Sequence, residues 1–268
     1  MLATLPGLPT SPPSLYIDLE GAKLSREGTI SLLTLFILPH NTTYLIDIHN
    51  LGSTSFTTSA QKTAEGATSP PTEPAENETS TLQSVLGSPS IPKVFFDVRN
   101  DSDALFAHYG IKLQCIHDVQ LMELATTRRN QRYLSGLSNC IRHDSGISLH
   151  DIQHAQMIKN RGVKLFAEEH GGSYEVFNER PLDPKIQEYC VQDVVHMPKL
   201  WSVYQARMNL FWTVMVKEAS EARVRESQSP GYRPMGEHKK YGCWSGPQIA
   251  IAQRRWRDGR RSGLCALK

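Results

Sequence analysis

The sequence predicts an α/β protein in which helices flank a mixed central β-sheet. Three strand-like apolar segments come first, a strand and a helical pattern follow, and the remaining periodic segments are helical. Strands followed by strand–helix alternation and then by helices are typical of a mixed sheet covered by helices. A chain of 268 residues is long enough for one large domain of this kind or two small ones.

The first three strands are predicted from apolar segments of strand length that are bounded by turn residues. They lie in SLYIDLEG (14–21), TISLLTLFILP (29–39) and TTYLIDIHNL (42–51). Because the second segment passes into the third through residues 39–41, we expect a tight turn between antiparallel strands. A fourth strand is predicted in PKVFFDVR, at residues 92–99.

Helical patterns follow the fourth strand. The segment NDSDALFAHYGI places apolar residues on one helical face, with Asn100 or Asp101 at the N-cap. The segment SLHDIQHAQMIKNRG predicts a helix that begins after Ser148 and ends at Gly162. The last strong helical pattern is PKIQEYCVQDVVHMPKLWSVYQARM.

A lead-in and two polar segments set the expected domain boundaries. Residues 1–13 are rich in proline, residues 52–80 in Ser, Thr, Pro, Glu and Ala, and residues 227–268 in Gly, Pro and Arg. Segments with so few apolar side chains bury too little surface to offset the entropy cost of ordering. We therefore expect one domain at 14–226 that contains a flexible insert at 52–80, followed by a basic, poorly ordered tail.

Composition argues against a membrane-spanning or secreted protein. No segment approaches the ~20 consecutive apolar residues of a membrane helix, and the N-terminal residues lack the basic and apolar parts of a signal peptide. Five scattered cysteines fit reduced thiols better than a disulfide scaffold. These features predict an intracellular protein, nuclear or cytoplasmic, with no membrane partner.

The net charge of +2 conceals an uneven distribution. From Lys217 onward, twelve Lys/Arg against five Asp/Glu residues give a balance of +7, which leaves −5 for the preceding part. An acidic body with a basic end is compatible with a polyanionic substrate, and equally with a solvated tail.

Two carboxylates, Asp18 and Glu20, interrupt the apolar pattern of the first strand. Residues two apart in a strand project from the same face, so these carboxylates lie together and repel each other. Mg²⁺ and Mn²⁺ prefer oxygen ligands and offset such repulsion. The alternative is a pair of charges that keeps an edge strand soluble.

Further ligands for a divalent cation stand at the ends of two other elements. Asp101 opens the helix after the fourth strand. Asp193 follows Tyr189 by four residues, a spacing that places Tyr189 and Asp193 on one helical face. Four acids and one phenol could hold two cations roughly 3.5–4 Å apart and leave the phenol near an attacking water.

Three segments that carry these residues resemble the exonuclease motifs of the DEDD superfamily. YIDLEG, VFFDVRNDSDALFAHYGI and YCVQD resemble its three motifs in order, and Tyr-x-x-x-Asp in the third is the pattern of its tyrosine-bearing branch. Ribonuclease D and the exonuclease domain of the Werner-syndrome helicase are members of that branch. The wider sequence, including GGSYEVFNERPL and GEHKKYGCW, is most similar to fungal 3′–5′ exonuclease-domain proteins.

The resemblance implies a ribonuclease H-like fold and hydrolysis of nucleic acid from its 3′ end to nucleoside 5′-monophosphates. It implies that two Mg²⁺ or Mn²⁺ ions are bound, and that Tyr189 orients the attacking water. The metal ligands implied by the matching positions are Asp18, Glu20, Asp101 and Asp193.

The second motif leaves three acids to choose from. Counting back from the Gly-Ile pair that closes this helix in the family favours Asp101. Asp97 is the second choice, because it stands where relatives often have the Asp of a His-Asp pair. Asp103 lies on the opposite side of the helix from Asp101, so both cannot bind one metal.

The expected partner is nucleic acid, as RNA or as a single-stranded DNA 3′ end. Basic side chains that would contact its phosphates without reading sequence are Arg128, Arg129, Arg132, Lys159, Arg161 and Lys164. The alternative function is an inactive ribonuclease H-like module that binds nucleic acid or protein. The presence of every motif acid and of the motif tyrosine favours the enzyme.

Overall fold

The computed structural model describes residue 5 and residues 7–59, 80–127 and 132–259. Its central sheet has five strands. They are β1 (Leu15–Glu20), β2 (Leu32–Ile37), β3 (Thr42–Asp47), β4 (Lys93–Phe95) and β5 (Ile116–Asp118). The strand order is β3-β2-β1-β4-β5, with β1 antiparallel to β2 and parallel to β4. The sheet is therefore mixed, which confirms the predicted fold class.

The helices surround this sheet and form most of the C-terminal half. Those in the described residues are α1 (Ile48–Leu51), α2 (Thr54–Thr57), α3 (Leu82–Leu86), α4 (Arg99–Tyr109), α5 (Val119–Thr126), α6 (Leu137–Asp144), α7 (Leu149–Phe166), α8 (Pro184–Val195), α9 (Met197–Arg207), α10 (Leu210–Ser227) and α11 (Gly246–Arg257). None of these helices combines the length and the apolar character needed to cross a membrane.

The central strand β1 separates two hydrophobic cores because its side chains alternate between faces. One face packs into a core with side chains from α3 and α4 and carries Leu15, Ile17 and Leu19. The other face places Tyr16 in a core with α5, α9 and α10. Asp18 and Glu20 share the face of Tyr16, which directs both toward the helical half of the molecule.

A buried arginine fixes the turn that leads from β4 into α4. Arg223 of α10 donates a hydrogen bond to Asp118 at 2.7 Å and lies 3.5 Å from Asp97. Asp118 also accepts hydrogen bonds from the backbone N–H groups of Asp97 and Val98, at 3.0 and 3.2 Å. The positive φ of Asp97, 63°, ends β4 earlier than the sequence predicts.

Helix α7 continues through Gly162, where the sequence predicts its end. A close contact with Tyr189 explains why a glycine occupies this helical position: a Cβ atom at position 162 would lie 2.6 Å from Cδ2 of that ring. Glycine is therefore needed for helix packing at this position, although it lowers helix propensity. A sequence pattern alone does not distinguish this use of glycine from a helix end.

The C-terminal segment is ordered over a longer range than the sequence predicts. Residues 227–259 were expected to form a poorly ordered tail, but Ser245 and Gln248 form a capping box that begins α11. Trp244 and Ala252 are buried in the core that contains Tyr16. Residues 260–268 lie outside the described residues.

The insert predicted at 52–80 is also partly regular. Helix α2 lies within it, and the ring of Phe56 is buried against that of Tyr109, with centroids 4.6 Å apart. Residues 60–79 lie outside the described residues, as do residues 1–4 and 6 of the proline-rich lead-in.

Candidate active site

Three carboxylates from two elements meet on one face of the sheet. The alternation of β1 directs Asp18 and Glu20 to the same side, and α8 packs against β1 and β2. Asp193 of α8 completes the group, and one oxygen from each carboxylate lies within 4.8 Å of the others. We call these three residues the acidic cluster.

Asp101 lies next to the acidic cluster, in the first turn of α4. Its Oδ1 accepts a hydrogen bond from the backbone N–H of Leu19 at 3.2 Å, and Leu19 is the residue between the two acids of β1. The expectation that Asn100 or Asp101 caps this helix is wrong, because the N-cap is Val98 and makes no side-chain hydrogen bond. Asp101 is thereby free to point at the strand.

The other two acids of this segment are paired with arginines. Asp97 accepts hydrogen bonds from Arg99 at 2.5 and 2.6 Å. Asp103 accepts from the backbone and the side chain of Arg26 at 2.8 and 2.6 Å. Both carboxylates are engaged in structural ion pairs, which favours Asp101 as the acid of the second motif.

The ring of Tyr189 is held on several sides, one turn of α8 before Asp193. Its edge packs against Phe166, with centroids 5.2 Å apart, and its face meets α7 at Gly162. Burial, followed by the charges of Glu20 and Asp193, raises the pKa of this phenol well above its usual range. The hydroxyl therefore remains protonated at neutral pH and can donate a hydrogen bond.

Lys159 lies in the acidic cluster rather than on an outer surface. Its Nζ is 3.3 and 3.4 Å from the two oxygens of Asp193, and 5.5 Å from the ring centroid of Tyr189. Burial acts to lower the pKa of this ammonium, but the hydrogen bond and charge of Asp193, together with the charges of Glu20 and Asp18, outweigh burial and the pKa is raised. Lys159 thus partly neutralises the carboxylates, a position that sequence reasoning did not anticipate.

Burial and repulsion between neighbouring acids raise the pKa values of Asp18, Glu20 and Asp101. Burial, with Asp193 nearby, raises the pKa of Glu20 to about 8, and burial raises that of Asp101 to about 7. The pKa of Asp18 lies well above its usual range because of burial and then the charge of Glu20. Carboxylates in this state gain from any cation that offsets their charge.

The donor set fits a hard divalent cation. All the converging atoms are carboxylate oxygens, which Mg²⁺ and Mn²⁺ prefer. One oxygen from each lies within 4.8 Å of the others, so small side-chain movements would bring them to the about 2.0–2.1 Å at which Mg²⁺ binds oxygen. His150 and His154, which share a helical spacing, are not among the residues that converge in a metal-binding group in the described part of the chain.

The remaining basic residues predicted to contact phosphates occupy different places. Arg161 and Lys164 lie on the exposed side of α7, and Arg132 is exposed beside two tyrosines. Arg128 and Arg129 lie outside the described residues. Of the four members of this set that the structure describes, Lys159 alone lies at the acidic cluster.

A comparison with protein-family models identifies the class of protein. The model described as 3′–5′ exonuclease matches residues 10–206, which include all four carboxylates and Tyr189. The chain therefore belongs to the 3′–5′ exonuclease family. Among curated proteins, the search found no sequence relative.

Solved structures with the same fold are nucleases. Ribonuclease D from Trypanosoma brucei in complex with RNA U12 has a TM-score of 0.60 at 18% identity, with 83% of this chain and 65% of that chain covered. NrnC from Brucella melitensis with bound Mg²⁺ has a TM-score of 0.53 at 16% identity, with 84% and 88% covered. The chain thus spans about two thirds of the ribonuclease D chain and has the ribonuclease H-like fold of these proteins.

Replacing Gly162 with alanine is expected to impair activity while leaving the helix intact. The new Cβ would lie 2.6 Å from Cδ2 and 2.7 Å from Cβ and Cγ of Tyr189, so the ring must move. A displacement of about 1 Å at a catalytic group costs roughly 100-fold in rate, and we expect a fall of 10- to 100-fold in kcat. Single-turnover cleavage assays would measure it.

Gly136→Ala is the matched control for this variant, because a Cβ at position 136 meets no atom within 4 Å. It should keep wild-type activity. Wild-type kcat in Gly162→Ala would show that the position of the Tyr189 ring does not limit the reaction.

Proposed function

We propose that the protein is a two-metal-ion 3′–5′ exonuclease of the tyrosine-bearing DEDD branch, and that it releases nucleoside 5′-monophosphates. The observation that carries the proposal is the convergence of Asp18, Glu20 and Asp193 within 4.8 Å, with Tyr189 on the same helix as Asp193. Family membership supports the direction of hydrolysis. The RNA in one ribonuclease D structure and the Mg²⁺ in the NrnC structure support the substrate and cofactor classes.

Asp18 would serve both ions, because burial and then the charges of Glu20, Asp101 and Asp193 all raise the pKa of its carboxyl, which marks it as a neighbour of every other acid in the site. With Glu20 and Asp193 it would hold one ion, and with Asp101 the other. When bound, Mg²⁺ or Mn²⁺ supplies Lewis-acid activation of water and of the scissile phosphate.

Tyr189 would position the water for in-line attack by donating a hydrogen bond to it from its hydroxyl group. Its raised pKa argues against a role as general base, because the phenol stays protonated at neutral pH. The packing against Phe166 and Gly162 holds the ring in one place, so little entropy is lost when the water is oriented.

The direct test is degradation of single-stranded RNA and DNA labelled at the 5′ or the 3′ end, with Mg²⁺ or Mn²⁺. We expect stepwise shortening from the 3′ end, release of nucleoside 5′-monophosphate from the first turnover, and loss of both with EDTA. A folded protein that binds these strands without cleaving them would favour the inactive module instead.

Divalent cations are expected to raise the melting temperature of the wild-type protein. A ligand present at 100 times its Kd stabilises the folded state by about 2.7 kcal/mol, which corresponds to roughly 5–10 °C for a chain of this size. Thermal unfolding with and without Mg²⁺ or Mn²⁺, at equal ionic strength, measures this shift.

Two variants separate site binding from a general salt effect. Asp193→Asn should abolish most of the shift, whereas Asp151→Asn, which changes an exposed acid of α7, should preserve it. An equal shift in both variants would place the cation elsewhere.

A further inference from the structure

Two exposed tyrosines lie together on the surface formed by the C-terminal segment. Tyr133 and Tyr241 form an antiparallel β-bridge, and their ring centroids are 5.5 Å apart. Backbone hydrogen bonds of 2.9 Å on either side fix the bridge, from Gly242 to Arg132 and from Leu134 to Lys240. The rings are 50% and 43% exposed, which leaves aromatic surface open to solvent on a rigid support.

The guanidinium of Arg132 lies over both rings. Its Cζ is 5.6 Å from the ring centroid of Tyr133 and 5.8 Å from that of Tyr241. The pair therefore combines flat aromatic surface with a positive charge. Proteins that bind single-stranded nucleic acid without sequence preference use this combination, because every base has a face that stacks and every nucleotide has a phosphate.

Two adjoining clefts meet at Tyr241 of this pair, and Gly242, Cys243 and Gln248 also line both. One has a volume of about 610 Å³ and contains Arg132 and Trp244. The other has a volume of about 740 Å³ and is lined by one acid, Glu226, and four basic side chains, which are Arg99, Arg223, Arg233 and His238. Arg99 and Arg223 are already paired with Asp97 and Asp118, so Arg233 is the guanidinium of this cleft that we assign to the substrate. We call the continuous depression the basic groove.

The basic groove reaches the first turn of α4, which carries Asp101. Tyr232, which lines it, donates a hydrogen bond from its hydroxyl to Oδ1 of Asn100 at 2.8 Å, and Nζ of Lys239 donates to the same atom at 2.5 Å. Asn100 immediately precedes Asp101.

We propose that the basic groove binds the single-stranded part of the substrate that lies 5′ of the reacting nucleotide. The bases stack on Tyr133 and Tyr241, and phosphates are neutralised by Arg132 and Arg233. This inference rests on the proposed exonuclease function and adds a substrate class: single strands long enough to reach from the acidic cluster to the tyrosine pair. Stacking and phosphate contacts do not read the 2′-hydroxyl, so RNA and DNA bind alike in the groove.

The first test uses fluorescence anisotropy to measure binding of a 5′-labelled 12-nucleotide single strand in the presence of EDTA. Loss of one stacked base weakens binding roughly 10- to 100-fold, so Tyr133→Ala/Tyr241→Ala should raise Kd at least 10-fold. Tyr133→Phe/Tyr241→Phe, which keeps both aromatic faces, should bind as the wild type does. Leu51→Ala changes a side chain of equal exposure, 50%, on α1 and serves as the control.

The second test compares substrates of different length in the presence of Mg²⁺. The alanine pair should raise KM for the 12-mer and leave hydrolysis of a dinucleotide unchanged, because a dinucleotide does not extend into the groove. Arg233→Glu, at an exposed position, should raise KM for the 12-mer in the same way and flatten its dependence on salt. This variant keeps the proposal testable if the alanine pair fails to fold.

The outcomes distinguish the two proposals. Wild-type binding and wild-type KM in both the alanine pair and Arg233→Glu would overturn the basic groove and leave the exonuclease standing. A wild-type protein that cleaves no substrate would overturn the exonuclease, and the anisotropy series would still decide whether the groove binds single strands.

Discussion

Replacing Asp18 with asparagine is expected to reduce exonuclease activity by roughly 1,000-fold or more. Asp18 is the one acid that the proposed mechanism assigns to both ions, and metal-ion charge stabilisation contributes several kcal/mol at about 1.36 kcal/mol per factor of ten in rate. The side chain keeps its shape and loses its charge. Quantified release of nucleotide from a 3′-labelled strand, under saturating Mg²⁺, measures the effect.

The same variant should be more stable than the wild type without metal. Burial and three neighbouring acids raise the pKa of Asp18, so its ionised form at neutral pH destabilises the folded state. Asparagine removes that repulsion, and we expect a higher melting temperature in EDTA together with a smaller response to Mg²⁺. Asp151→Asn should leave the activity and the response to Mg²⁺ unchanged; activity within tenfold of wild type in Asp18→Asn would argue against the proposed site.

Replacing Arg223 with methionine is expected to destabilise the fold by about 3–5 kcal/mol, the usual effect of removing one partner of a buried ion pair. Asp118 is fully buried, and its 2.7 Å hydrogen bond from Arg223 would be lost. The turn held by Asp118 leads directly into α4, so the position of Asp101 would also loosen. Urea unfolding of metal-free protein gives the change in unfolding free energy.

Arg225→Met provides the control on the same helix. Arg225 is largely exposed and only 4.0 Å from Glu221, so its loss should cost at most about 1 kcal/mol. Arg223→Lys should recover only part of the stability, because an ammonium cannot reproduce the guanidinium geometry. Equal unfolding free energies of Arg223→Met and Arg225→Met would contradict the structural role assigned to Arg223.

The parts of the site that the sequence predicted are those with a local geometric rule. The two-residue spacing of Asp18 and Glu20 and the four-residue spacing of Tyr189 and Asp193 each specify one face of one element. The strand and helix patterns around them were sufficient to predict the mixed α/β fold. Short strands were less predictable, because β5 has only three residues. Helix boundaries were also less predictable, because Gly162 serves the packing against Tyr189 and does not end α7.

The parts that the sequence did not predict depend on contacts between distant segments. Nothing near Lys159 indicates that its ammonium meets Asp193 from another helix. The sequence favoured Asp101 over Asp97 and Asp103, but it did not reveal that arginines pair with the other two acids. Polar composition after residue 227 indicated a tail, whereas a capping box and one buried tryptophan, Trp244, make it a wall of the basic groove. Amino-acid composition predicts only the average burial of a segment, so it does not reveal a single buried residue such as Trp244.

The match to the exonuclease family ends at residue 206, yet Arg223 of α10 joins Asp97 and Asp118 of the sheet half. The core that contains Tyr16 likewise includes Trp244 and Ala252. The chain should therefore unfold cooperatively, with no autonomous catalytic half that ends at the family boundary. Amide hydrogen exchange can reveal this: Mg²⁺ at the acidic cluster should slow exchange of the most protected amides in α10 as much as those in β1.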